Sequence, residues 1–122
     1  MSRLRIFAEV EDYLATKKKK WKSRGAIPLL SETHLRKKKD DRIAFYYGIP
    51  REKIAIKKCN HAKGAGYLTW GHLLVEEVSE AICAQRNIEE MRSELIQIIG
   101  ICVGMIEQID EQQEDTTGKN ID

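Results

Sequence analysis

Glu76, Glu77 and Glu80, followed by Glu94 and Gln97, are the residues of this chain whose types and spacing best suit chemistry. At about 100° per residue, a helix starting near Trp70 carries an apolar stripe of Trp70, Leu73, Leu74, Ala81 and Ala84. Glu77 projects from inside that stripe, Glu80 from its edge and Glu76 from the open side. A following helix repeats the pattern, with Glu94 flanked by Ile98, Ile101 and Met105 and with Gln97 just beyond. Carboxylates on a core-facing stripe are costly to desolvate unless something pairs with them. Two such acids at i and i+3, facing a second i, i+3 pair on an antiparallel neighbour, make an oxygen-rich cage. Such a cage suits Mg²⁺ or Mn²⁺, hard cations that keep waters and bind phosphates. The spacing also permits a plainer reading, in which Glu76 and Glu80 are solvated i, i+4 neighbours and Glu94 sits at a frayed edge.

The run Glu76-Glu77-x-x-Glu80, a short connection and Glu94-x-x-Gln97 follow Leu68-Thr69-Trp70-Gly71-His72-Leu73-Leu74. Together they resemble the MazG-like, all-α nucleoside triphosphate pyrophosphohydrolases, notably their compact, single-domain, often phage- or prophage-borne members. The similarity runs from Gly66 to about Asp110. It implies an all-α fold, Mg²⁺ or Mn²⁺ as cofactor, and hydrolysis of a nucleoside triphosphate between its α and β phosphates to monophosphate and pyrophosphate. Carried over residue by residue, it makes Glu77, Glu80, Glu94 and position 97 the metal ligands, and the three glutamates the catalytic acids. At position 97 the chain departs from the pattern, because the expected aspartate is Gln97. An amide still offers a neutral carbonyl oxygen, but the cage loses one negative charge.

These acids need a scaffold. Thr69 is a natural N-cap for a helix to about Gln85, and Asn87 with Glu90 reads as a capping box for another to about Gln112. So short a link implies an antiparallel hairpin, about 70–86 and 88–112. Apolar residues cover more than half the circumference of the second helix, and Gly100 and Gly104 leave room for close approach. The expected architecture is therefore a helical bundle built on this hairpin and completed by dimerisation or higher self-association. Upstream, Ile6, Phe7, Val10, Tyr13 and Leu14 predict a helix from Arg3 to about Lys22, ending in Lys17–Lys20 where the helix dipole favours cations. Ser23 to Leu30 is a loop. A polar helix capped by Ser31 continues through Lys37–Lys39 to Tyr47 and is broken at Gly48-Ile49-Pro50. Pro50 belongs to the first turn of a third helix to about His61, and Lys63-Gly64-Ala65-Gly66 reads as a hinge. No strand is expected. Residues 1–64 form a basic helical part, 65–112 the acidic hairpin of the same domain, and 113–122 a polar, disordered tail.

The formal charge of +2 conceals a division. Up to Gly64 there are eighteen Lys and Arg against seven Asp and Glu; beyond it there are three against twelve. The basic part suits a phosphate-bearing ligand, and Lys57, Lys58 and Lys63 are its cations nearest in sequence to the acids. Trp70 is a candidate base-stacking residue, with a core tryptophan as the alternative, and His72 a candidate phosphate contact, with a surface histidine as the alternative. Lysine runs with Trp21, Tyr46 and Tyr47 also suit nucleic acid, set against a plain solvated helix face. Three cysteines without metal-finger spacing read as reduced thiols of a cytoplasmic protein. No apolar run is long enough for a bilayer, and no signal-peptide core opens the chain. The reading is a Mg-dependent nucleotide pyrophosphohydrolase-like protein acting on nucleoside triphosphates. Two other classes stand beside it: a nucleotide-binding protein impaired in catalysis by Gln97, and a nucleic-acid or protein-binding helical module using the lysine-rich half.

Overall fold

A computed structural model describes residues 3–23, 25, 29, 40–84 and 87–121, and among them every regular element is an α-helix. The helices are α1 (Arg3–Ser23), α2 (Asp40–Tyr47), α3 (Glu52–Ala65), α4 (Trp70–Cys83) and α5 (Ile88–Ile121). The expected cap at Ser31 and the helical run through Lys37–Lys39 lie outside the described residues. The chain divides into two compact units, Leu30–Cys102 and Met1–Leu29 with Val103–Asp122. Among the described residues no helix is long and apolar enough to cross a membrane.

In the unit made of Met1–Leu29 and Val103–Asp122, α1 follows the expected span and carries Lys20 and Lys22 in its last turn. Ile6 is its buried residue, while Phe7, Val10, Tyr13 and Leu14 keep much of their surface exposed. Arg3 pairs with Glu107 at 3.1 Å. With both partners open to solvent, that pair contributes little to stability. The backbone of α5 stays helical to Ile121, past the end expected near Gln112. Glu111, Gln112, Gln113 and Glu114 are straight-chain helix formers, and their propensity extends a helix that composition alone reads as a tail.

The unit spanning Leu30–Cys102 holds the acids. Here α3 and α4 lie against each other, and α2 packs on α4 and on α3. Ala55, Cys59 and Ala62 on α3, Ser79, Ala81 and Cys83 on α4, and Ile43 and Ala44 on α2 are all buried, and all but Ile43 are small. Small side chains let helix axes come close, so dispersion between backbones replaces the usual large core residues. The burial corrects the expected stripe of α4. Leu73 and Leu74 are only half-buried and Trp70 is 36% exposed, while Ser79 is fully buried.

Turn chemistry fixes the ends. After Tyr47, Gly48 adopts a φ of 69°, and Ile49 N–H closes on the Ala44 carbonyl at 3.0 Å. Pro50 lies ahead of α3 rather than in its first turn, because Arg51 is the N-cap. The expected hinge at Lys63–Gly66 is also corrected: Lys63 to Ala65 complete α3, and Gly66 ends it with φ 82°. Tyr67 N–H reaches back to the Ala62 carbonyl at 2.9 Å, the Schellman closure that a left-handed glycine permits.

Candidate metal centre

Thr69 and His72 set the start of α4. Thr69 Oγ1 accepts from His72 N–H at 3.2 Å, as an N-cap should, and Thr69 N–H donates to His72 Nδ1 at 3.1 Å. Histidine thus takes the place of glutamate in a capping box. A backbone N–H can only donate, so Nδ1 is an acceptor and the ring hydrogen sits on Nε2. At α5, half of the expected box forms. Asn87 Oδ1 accepts from Glu90 N–H at 3.1 Å, but Asn87 N–H donates to the Ala84 carbonyl at 2.8 Å instead of to Glu90.

With these two starts fixed, Glu77 and Glu80 on α4 and Glu94 on α5 come together. One carboxylate oxygen from each lies within 4.8 Å of the other two, and all three residues are half-buried. Among the described residues, Glu77 Oε2 and Glu94 Oε2 are buried and find no hydrogen-bond partner. Burial first, then a hydrogen bond shared with Glu94 and the charges of Glu80, Glu94 and Glu76, push the Glu77 carboxyl up to about 8. Burial, Glu94, Glu76 and Glu52 push Glu80 up to about 7. Protons thus remain on the cluster near neutrality, the expected response of like charges that share a site without a cation. Three half-buried carboxylates, two of them with an orphaned buried oxygen, fit a hard divalent cation by donor type and by charge.

Gln97, three residues beyond Glu94, is exposed. Lys63 is exposed in the last turn of α3. Trp70 is at the surface in the first turn of α4. Lys57, Lys58 and His72 are gathered elsewhere. Lys58 and His72 line a cleft of about 510 Å³ with Pro50, Ala55, Cys59, Thr69, Gly71 and Val75. The same two residues, with Lys57, Ile54, His61 and Tyr67, line a second cleft of about 400 Å³. None of the three glutamates lines either one. Helical projection explains the separation. On α4, Gly71 and Val75 fall about 40–80° to one side of buried Ser79, and Glu80 and Glu77 about 100–160° to the other. On α3, Lys58 and His61 fall on one side of Cys59, and Glu52 and Lys63 on the other.

Sequence reasoning missed three participants. Cys59 is buried, donates to the His72 carbonyl at 3.1 Å and neighbours Glu76; burial and that carboxylate push its thiol up to about 11. Glu52 adds its charge to the field at Glu80. Tyr67 lies between His61, edge-on at a centroid distance of 5.9 Å, and His72, tilted at 6.0 Å. Only the capping glycine just before it marks Tyr67 in the sequence. Comparisons with protein-family models, curated proteins and solved structures return no match to this chain.

Proposed function

We propose that the Glu77, Glu80 and Glu94 cluster is a divalent-cation site and that the protein is a nucleotide pyrophosphohydrolase of the MazG-like kind, splitting nucleoside triphosphates between the α and β phosphates. The observation that carries this reading is the pair of buried, partnerless oxygens, Glu77 Oε2 and Glu94 Oε2, beside a third carboxylate within 4.8 Å. Glu77, Glu80 and Glu94 would hold Mg²⁺ or Mn²⁺, with the Gln97 carbonyl as a weak fourth donor. When bound, the ion neutralises phosphate charge and acidifies a coordinated water. Glu80, in the field of Glu52 and Glu76, is the carboxylate suited to orient that water and accept its proton. Lys63, on the acid flank of α3, is the lysine suited to the outer phosphates. Lys57, Lys58 and His72 line clefts that none of the three glutamates lines.

In the same reading α4 and α5 form an antiparallel hairpin, and a second copy covers the exposed Leu95, Ile96 and Ile99 of α5. The exposed amide of Gln97 favours a second reading, a nucleotide-binding protein with reduced catalysis. One panel separates them: nucleoside triphosphates with Mg²⁺ or Mn²⁺, following pyrophosphate release and binding heat together. Release supports the hydrolase, and heat without release the binder. Neither signal sinks both.

A further inference from the structure

The flank of α3 and α4 opposite the acids has its own chemistry. Its two clefts, about 510 and 400 Å³, adjoin through Lys58 and His72, and each is of small-molecule size. The first is walled largely by apolar groups, among them Ala55, Cys59 and Val75. The second presents Lys57, Lys58 and the ring series His61–Tyr67–His72. Among the described residues no carboxylate lines either cleft, and the charged groups that do are Lys57 and Lys58. The His72 ring is held at Nδ1 by Thr69, which leaves Nε2–H as a positioned donor.

We infer that this groove is a second ligand site, taking a phosphorylated planar ring, in its simplest form a nucleoside monophosphate. The ring lies against Tyr67 and His72 in the second cleft, where aromatic edges and faces are available, and reaches toward the apolar cleft that shares His72. The phosphate lies across Lys57 and Lys58, which act as point charges rather than as a fork. Neither feature uses the three glutamates, so the site stands whether or not the acid cluster holds a cation.

The test is calorimetric titration of the full chain with AMP, GMP, CMP and UMP at low ionic strength in EDTA, which removes any cation-dependent binding at the acids. At least one monophosphate is expected to bind, with its unphosphorylated nucleoside weaker. The double variant Lys57→Glu/Lys58→Glu, at two exposed positions, is expected to lose at least about tenfold in affinity, the scale of a lost charge-assisted contact. Tyr67→Ala is expected to weaken every monophosphate, and Glu77→Gln none. Absence of binding at millimolar concentration overturns the inference, as does binding indifferent to the lysine reversal or abolished by Glu77→Gln. A 5′-phosphorylated oligonucleotide that binds where all monophosphates fail also overturns it and points to a nucleic-acid surface.

Discussion

Glu77 on α4 and Glu94 on α5 each bury a carboxylate oxygen, Oε2, that no hydrogen-bond donor among the described residues reaches, and their carboxylates approach within 4.8 Å. Two acids so placed repel when both are ionised and share a proton when one is not. The arrangement costs stability at neutral pH unless a cation joins them, and this fixes the sign of the first two predictions.

With cations chelated, stability is expected to fall as pH rises from about 5 to 8. Unfolded glutamates ionise near about 4.3, whereas Glu80 and Glu77 hold their protons to about 7 and about 8 in the fold. Between those values the folded state binds more protons than the unfolded one, so raising the pH favours unfolding. Below about pH 4 both states are protonated and the stabilisation is fully present. Thermal melts in EDTA across this range should show the decline, and Glu77→Gln should flatten it. A wild-type melting temperature that rises from pH 6 to 8 by more than that of the variant would reverse the sign.

Mg²⁺ or Mn²⁺ is expected to raise the melting temperature at pH 8. A cation at one hundred times its dissociation constant adds about 2.7 kcal/mol to a state that alone binds it. Apparent affinity should climb with pH between 6 and 8, by up to about tenfold per unit for each proton displaced. Glu77→Gln should lose most of the response; an equal response in both proteins would place the ion elsewhere.

Gln97→Asp is expected to tighten the cation by about ten- to hundred-fold, or about 1–3 kcal/mol, as a charged oxygen replaces a neutral one. Pyrophosphate release should rise with it if occupancy limits turnover. A brisk wild-type rate that falls in the variant would make the amide a working part of the site.

Self-association should be visible by sedimentation at tens of micromolar, an ordinary working range for a linked equilibrium. Leu95, Ile96 and Ile99 are 43, 54 and 50% exposed on one side of α5, and Ile96→Lys with Ile99→Lys should dissociate the assembly. A wild-type protein that sediments as a monomer would show that this face stays in water.

Ser79 tests how α4 packs. Its hydroxyl is fully buried and has no partner among the described residues. Ser79→Ala removes a desolvated polar group and is expected to leave stability unchanged or raise it by up to about 1 kcal/mol. Ser79→Leu should cost about 1–3 kcal/mol or more by forcing close helices apart. Denaturant melts distinguish the two, and a tolerated leucine would show the site to be open.

Much of this site is legible in the sequence because it rests on local rules. Thr69 and Asn87 announce the starts of α4 and α5, and the i, i+3 spacing of Glu77 and Glu80 places both on one side of a helix. Facing, by contrast, is set by tertiary packing. The large residues Trp70, Leu73 and Leu74 suggest a core stripe, yet Ser79 and Cys83 fill the buried positions of α4. Amphipathicity weighs size and polarity, and a helix seated by alanine, serine and cysteine carries little of either. Nearness in sequence likewise does not fix facing: Lys57 and Lys58 line a cleft that none of the three glutamates lines.

That small-residue seam has a kinetic consequence at Cys59. A buried thiol held near about 11 by its surroundings supplies almost no thiolate at neutral pH, so thiol reagents act on it slowly although it borders a cleft. The half-buried Cys102 sits in the same chain as an internal reference. The ratio of the two labelling rates therefore reads how strongly the seam and the neighbouring Glu76 hold the Cys59 thiol in its protonated form.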